Sequence, residues 1–270
     1  AIYISMKINK DLLSIQSISN AGGSHMRCAL AATGFINNDL QYNKQVIIDT
    51  MIKYAGVADI VLFGEAFLQG FYAATFEPEH DKTIAVTQDD RIITDICNMA
   101  KQCAIAVSFG FIEKVGNIFY SSQITIDQNG TVIDVFRRVS PGWKLPHADD
   151  NIYREGEGFH LFTFMDKKIT VGLCGDLWYD ENIKSVKQLH PDIVFWPVYT
   201  DFNYNEWNSS MKLEYAEQVS SIGGKVLYVN SVCLDKEAEE IARGGAALFV
   251  DGQIESELSA GEEGILLVEA

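Results

Sequence analysis

The chain has 270 residues, of which 47% are hydrophobic and 21% charged, and its formal net charge is -16. This hydrophobic content supports a sizeable folded core and excludes the low-hydrophobicity composition of a disordered protein. The negative charge, with no visible basic patch, argues against nucleic acid or an anionic membrane surface as the main partner, because both are bound through clustered cations.

The cysteines favour a reducing compartment. They are five in number, widely spaced and without a CxxC pair, which argues against a disulfide framework and against a zinc cluster. The sequence has neither an apolar run near the roughly 20 residues that span a bilayer nor a charged-then-apolar signal segment at its start. We therefore expect a cytoplasmic protein that does not enter the membrane.

Residues 1–25 differ from the rest. Gly23-Ser-His-Met26 has the composition of a cleaved expression tag, and the sequence behind Met26 has the character of a natural start. Ala1-Ile-Tyr-Ile-Ser-Met-Lys-Ile8 would continue naturally from Gly264-Ile-Leu-Leu-Val-Glu-Ala270. We expect a tail segment and tag scar over 1–25, for which a permuted C-terminal tail is one explanation, followed by one domain over 26–270.

Behind Met26, short β-branched runs alternate with longer amphipathic runs, which predicts an α/β fold with helices packed on sheets. The predicted strands are 27–33, 59–63, 103–110, 116–126, 131–136, 168–174, 193–196, 226–232, 245–250 and 264–268. The predicted helices are 39–55, 88–102, 180–190 and 206–222. Turn signals at Asn129-Gly130 and Asp251-Gly252 predict two β-hairpins, so the sheets should be mixed.

Three segments contain candidate catalytic residues. The apolar run from Ile169 ends on Cys174, followed by glycine and aspartate, and a thiol at a strand end can serve as a nucleophile if a base or a positive field lies nearby. Glu65 ends another apolar run and could be that base, or merely a helix-capping or ion-paired glutamate. The stretch from Arg137 to His147 follows a hairpin strand and is rich in cations, which could stabilise an oxyanion or simply form a solvated turn.

Taken together, in this order and spacing, the three segments resemble the nitrilase or carbon-nitrogen hydrolase superfamily and its Glu-Lys-Cys triad. The resemblance extends from about Met26 to Ala270 and includes Arg243-Gly-Gly-Ala-Ala-Leu-Phe-Val-Asp-Gly252. It implies a four-layer αββα sandwich of two mixed sheets, association into homodimers or higher homo-oligomers, and hydrolysis without a metal or cofactor. It also implies a small amide-type substrate, whose amide or carbamoyl C–N bond is cleaved through a cysteine thioester with release of ammonia.

By this resemblance Glu65 is the general base, Cys174 the nucleophile, and Gly175 a source of an oxyanion-binding N–H. The family lysine usually follows an aromatic-Arg pair, but after Phe136-Arg137 this chain has Arg138, which is not a neutral replacement. We expect Lys144 to supply the active-site cation, with Arg138 as second choice.

Further expected site residues are less specific. An additional acid of the family would fall at Asp149, which could equally be an ordinary loop carboxylate. Trp178 and Tyr199 could line the substrate site, although such aromatics are more often part of a core, and Asp176 could anchor the loop behind Cys174 through backbone N–H groups. The histidines show no metal-ligand spacing, so we expect no metal site.

Two alternatives stay open. Nitrile hydrolysis would use the same three residues, and a non-catalytic scaffold or ligand-binding protein would explain why the lysine is missing from its usual position. A structure with Lys144 too far from Cys174 to share one substrate atom, and with no other cation there, would favour the scaffold. The substrate does not follow from the sequence.

Overall fold

The computed structural model describes residues 25–235 and 241–270. Apart from His25, the expected tail segment lies outside the described residues. The described strands are β1 Arg27–Ala32, β2 Gly34–Phe35, β3 Ile60–Phe63, β4 Ala106–Val115, β5 Ile118–Ile126, β6 Val132–Arg137, β7 Phe162–Phe164, β8 Lys167–Val171, β9 Ile193–Val198, β10 Lys225–Asn230, β11 Val232–Cys233, β12 Ala246–Val250, β13 Gln253–Leu258 and β14 Gly264–Glu269.

The described helices are α1 Leu40–Tyr54, α2 Pro78–Ile84, α3 Arg91–Cys103, α4 Asp180–Gln188, α5 Tyr204–Glu206 and α6 Lys212–Gln218. A π-helical turn over Trp207–Met211 joins α5 to α6, so the predicted helix 206–222 is an interrupted one that ends earlier. A 3₁₀ turn covers Cys174–Trp178; we call it the Cys174 turn.

Two six-stranded sheets form the centre of the molecule. Their strand orders are β14-β1-β3-β4-β5-β6 and β13-β12-β10-β9-β8-β7, while β2 and β11 form a small separate pair. In each sheet the central strands are parallel, as in β1–β3–β4 and β8–β9–β10, and the outer strands are antiparallel. Both sheets are therefore mixed, as the hairpin signals predicted.

The layers are held by three apolar clusters. Leu30 and Leu62 of the first sheet pack against Leu227 of the second between the sheets. On the outer face of the first sheet lie side chains of α1 and α3, and on the outer face of the second lie those of α4 and α6. This is the predicted αββα sandwich, and the prediction is confirmed.

Local sequence explains the element boundaries. Asp90 begins α3 by accepting a hydrogen bond from the Ile92 N–H at 3.1 Å, and α3 ends at Ala104, whose φ is +50°. The helix therefore includes Cys103, which the sequence assigned to a strand. At the β12–β13 hairpin, Asp251 and Gly252 both have positive φ, as a two-residue hairpin turn requires.

Candidate active site

The turn after β3 places Glu65 at the carboxyl end of this central strand of the first sheet. Gly64 and Gly110 bring this turn against β4, since a Cβ on Gly110 would lie 2.2 Å from the Ala66 nitrogen. Ala66 itself has a φ of +51°, a conformation that non-glycine residues rarely adopt and that often marks functional sites. The predicted position of Glu65 at a strand end is thus two residues beyond the strand, in a tightly constrained turn.

The Glu65 side chain is fully buried, and its two oxygens differ. Oε1 accepts hydrogen bonds from the Ser121 hydroxyl at 3.0 Å and from Arg138 Nη1 at 2.8 Å. Oε2 is buried and has no hydrogen-bond partner among the described residues. Because a buried polar atom without a partner is costly, this oxygen is a strong candidate for a functional acceptor.

The candidate nucleophile, Cys174, lies beyond the carboxyl end of β8 in the second sheet. Strand β8 ends at Val171, three residues before Cys174, which begins the Cys174 turn with a φ of +45°. The expectation that the strand runs to the cysteine is corrected: the thiol stands on a strained turn. Trp196 Nε1 donates to the Cys174 carbonyl at 2.8 Å, and the thiol donates to the Tyr199 carbonyl at 3.5 Å.

The surroundings of Cys174 keep its thiol protonated. Burial and the nearby Glu65 carboxylate raise the pKa of Cys174 and the Arg138 guanidinium opposes them, so that the pKa of the thiol is about 12. The neutral thiol therefore predominates at neutral pH, so the cysteine needs a base at the moment of attack. These interactions place Glu65, Arg138 and Cys174 in one electrostatic unit.

Arg138 occupies the position between the base and the nucleophile. Its side chain is 4% exposed; Nη1 donates to Glu65, and Nε donates to the Ser140 hydroxyl at 2.9 Å. Nη2 has no acceptor among the described residues and lies beside the backbone after the nucleophile, since a Cβ on Gly175 would be 2.8 Å from it. Burial opposes the charge, but Glu65 and Cys174 outweigh it and raise the pKa of Arg138, which stays cationic.

Lys144 is elsewhere, which corrects the expectation that it supplies the active-site cation. Its ammonium pairs with Asp150 at 2.5 Å and with Glu155 at 2.6 Å, and it donates to the Tyr153 carbonyl at 3.2 Å. These partners all belong to the loop behind β6, so Lys144 fixes that loop and is engaged away from Glu65. The second choice, Arg138, is the cation that pairs with Glu65 in the structure.

The remaining expected site residues, Asp149, Tyr199 and Trp178, differ in their contacts and exposure. Asp149 is exposed and accepts from the backbone and side chain of Asn151, so it is a turn carboxylate and the expected additional acid is not there. Tyr199 contributes its carbonyl, whereas its ring stacks on Phe71 at 4.5 Å. Trp178 is 41% exposed and packs edge-on against Tyr215 at 4.8 Å.

Several residues of this site carried no recognisable signal in the sequence. Ser121 lies within β5 and Ser140 in the loop behind β6, and neither spacing nor composition distinguishes them from other serines. Asp176 was expected to serve the loop behind Cys174, and it also reaches the backbone of Val139 and Ser140.

A sequence profile described as carbon-nitrogen hydrolase matches residues 20–270. The chain belongs to the carbon-nitrogen hydrolase family. The family membership expected from the three segments is confirmed.

Individual relatives of this carbon-nitrogen hydrolase are distant. N-carbamoylputrescine amidase from Oryza sativa subsp. japonica is 23% identical over 187 residues, which cover 67% of this chain and 61% of that protein. Arylacetonitrilase from Aspergillus niger is 27% identical over 155 residues, which cover 52% of this chain and 44% of that protein. The chain thus aligns with about half to three-fifths of the length of such curated relatives.

The fold also matches a solved structure of the nitrilase superfamily. An amidase from Nesterenkonia AN1, in a cysteine-to-alanine mutant, superposes with a TM-score of 0.75 at 19% identity and covers 92% of both chains. At this identity the likeness concerns the fold. Within residues 25–235 and 241–270, the helices are all too short or too polar to cross a membrane.

Proposed function

We propose that this carbon-nitrogen hydrolase cleaves the amide or carbamoyl C–N bond of a small molecule through a Cys174 thioester. The observation that carries the proposal is the meeting of Glu65, Arg138 and Cys174 from three separate segments at one buried point. Glu65 is a base whose Oε2 has no hydrogen-bond partner among the described residues, and Arg138 is a buried cation whose Nη2 lies beside Gly175. Cys174 is a thiol on a strained turn. In support, a structure of the E41Q mutant of the amidase from Nesterenkonia sp. AN1 shows the result of Michael addition of acrylamide at its active-site cysteine.

Attack and proton transfer occur together. Because the pKa of Cys174 is raised, Glu65 Oε2 takes the thiol proton as sulfur bonds to the carbonyl carbon. The carbonyl oxygen gains the negative charge and is stabilised by Arg138 Nη2 and by a backbone N–H of the Cys174 turn, at Gly175 or its neighbours. The proton on Glu65 then passes to the leaving nitrogen, so that ammonia departs and a thioester remains.

Hydrolysis of the thioester reverses these roles. Glu65 takes a proton from water while the water oxygen attacks the thioester carbon, and the proton returns to the Cys174 sulfur as the acid product leaves. Arg138 holds the second oxyanion in the same manner as the first. A guanidinium does not lose its proton in this pH range, so Glu65 is the proton carrier of both steps and Arg138 acts by charge and hydrogen bonding.

The test is ammonia release from a panel of simple amides, ω-amides, N-carbamoyl amines and nitriles. Cys174→Ala should abolish the release from any active compound, whereas Cys103→Ala, a partly buried thiol outside the site, should retain it. Glu65→Gln should lower kcat by at least about 100-fold, since general-base catalysis contributes that much. Full turnover by Cys174→Ala would refute the proposal.

A non-catalytic ligand-binding role is the second candidate. It is favoured by the replacement of lysine by arginine and by the buried ion pair that already engages Glu65 Oε1. Against it, Arg138 supplies a cation beside Cys174 where Lys144 does not. Binding of an amide without any covalent adduct or ammonia would favour this role, and nitrile turnover would favour the nitrilase alternative.

We further propose that the protein acts in the cytoplasm as a homodimer or higher homo-oligomer. The five cysteines are free thiols, which suits a reducing compartment. Sedimentation analysis of the full chain tests the assembly: a single species of monomer mass at micromolar concentration would contradict it.

A further inference from the structure

Asp176 links the two sheets at the active site. Its side chain is fully buried in the Cys174 turn, two residues behind the nucleophile. Oδ2 accepts from the Leu173 N–H at 2.9 Å, on its own side of the molecule. Oδ1 reaches the loop behind β6, where it accepts from the N–H groups of Val139 at 3.1 Å and Ser140 at 2.7 Å. Since β6 belongs to the first sheet and β8 to the second, one carboxylate joins the chain segments that carry the cation and the nucleophile.

The link continues to the guanidinium. Ser140, whose N–H is bound by Asp176, uses its hydroxyl to accept from Arg138 Nε at 2.9 Å. Arg138 in turn donates to Glu65. A shift of the Ser140 backbone would therefore move the Arg138 guanidinium relative to Cys174, although Asp176 makes no hydrogen bond to either of these side chains.

Two hydrogen bonds made by the main-chain groups of Asp176 hold the Cys174 turn without its carboxylate. The Asp176 N–H donates to the Leu173 carbonyl at 2.9 Å, and the Asp176 carbonyl accepts from Asn182 Nδ2 at 2.8 Å. Both remain when only the side chain is changed. The side chain can therefore be altered with the turn still formed.

We infer that Asp176 is a positioning residue that sets the location of Arg138 Nη2 relative to the Cys174 thiol through Ser140. This inference rests on the proposed function, because the position matters only if Arg138 stabilises charge during catalysis. Misplacement of a catalytic group by about 1 Å can cost about 100-fold in rate. The loss should fall on kcat, since Asp176 does not contact the substrate.

The experiment compares Asp176→Asn with Ser140→Ala and with the double variant. Asp176→Asn keeps the size but places an amide group where two acceptor oxygens were needed. Ser140→Ala removes the hydroxyl that joins Asp176 to Arg138, while the Ser140 N–H can still donate to Asp176. Each single variant should lower kcat by about 10- to 100-fold with KM within about threefold. The kcat of the double variant should be no lower than that of the less active single variant. Asp180→Asn, at an exposed position of the same segment, should match the wild type.

A second readout does not depend on turnover. The Arg138 Nε–H signal in ¹⁵N NMR, assigned by its loss in Arg138→Lys, should shift and exchange faster in both single variants. If the wild type proves inactive yet this signal responds, the positioning role stands and the proposed function fails. If Asp176→Asn and Ser140→Ala leave both kcat and the signal unchanged, or if their effects on kcat simply multiply, the inference is overturned.

Discussion

Gly175 should be required because the proposed active-site cation is Arg138, whose guanidinium lies against the backbone behind Cys174. A Cβ at this position would lie 2.8 Å from Arg138 Nη2, whereas ordinary contact begins at 3.4 Å. In Gly175→Ala the guanidinium must therefore retreat by about 0.6 Å from the place where the oxyanion forms. Gly175 is not in the left-handed region, so alanine should fold normally. We expect kcat to fall by about 10- to 100-fold, or about 1.4–2.7 kcal/mol of transition-state stabilisation.

The assay is kcat/KM for ammonia release in a double-mutant cycle with Arg138→Lys. Lysine has no Nη2, so Gly175→Ala should cost little in that background and the two losses should not add. Asp180→Asn, at an exposed position behind the Cys174 turn, is the control. Wild-type kcat in Gly175→Ala, or losses that add fully, would refute the reasoning.

Three more outcomes follow from the geometry. Lys144→Ala should retain kcat within about threefold but lower the free energy of unfolding by about 1–2 kcal/mol, measured by urea denaturation, because it removes the loop ion pairs; a complete loss of kcat in a folded variant would contradict this. Alkylation of Cys174 by iodoacetamide, followed by peptide mass mapping, should rise about tenfold per pH unit from pH 7 to 10, because its pKa is raised to about 12; a plateau near pH 8.5 would be inconsistent with this environment. Arg137→Met should destabilise the fold by about 3 kcal/mol at pH 7, because it leaves Glu113 buried without its charged partner. Arg137 helps to lower the pKa of Glu113 against the effect of burial, so this difference should shrink as pH falls through that depressed pKa, and an unchanged difference at low pH would contradict it.

Sequence periodicity was sufficient for the larger elements and for sheets with helices packed on them, whereas the four layers were implied by the family resemblance. The α1 and α3 runs and both glycine hairpins carry local signals that tertiary contacts did not override. Short elements were missed, such as α2 and β7, because a few residues offer too little pattern and their pairing depends on distant strands.

The residues of the candidate active site also fall into some that the sequence could predict and some that it could not. Glu65 and Cys174 follow apolar strands, so their place at sheet edges could be predicted, and the three-dimensional arrangement that unites them with Arg138 could not. The preference for Lys144 gave more weight to residue type than to position in the chain: the structure pairs this lysine with Asp150 and Glu155, whereas Arg138 contacts Glu65. The contacts of Asp176 span 36 residues to Ser140, and no local pattern encodes such a separation.

The central claim is that Cys174 forms a covalent intermediate during C–N bond cleavage. It is tested most directly by quenching the enzyme in acid during turnover of an active amide and measuring the intact and peptide masses. The account predicts an added acyl mass on the peptide that contains Cys174, absent in Cys174→Ala. Steady ammonia release with no acyl mass on Cys174, and undiminished release by Cys174→Ala, would contradict it.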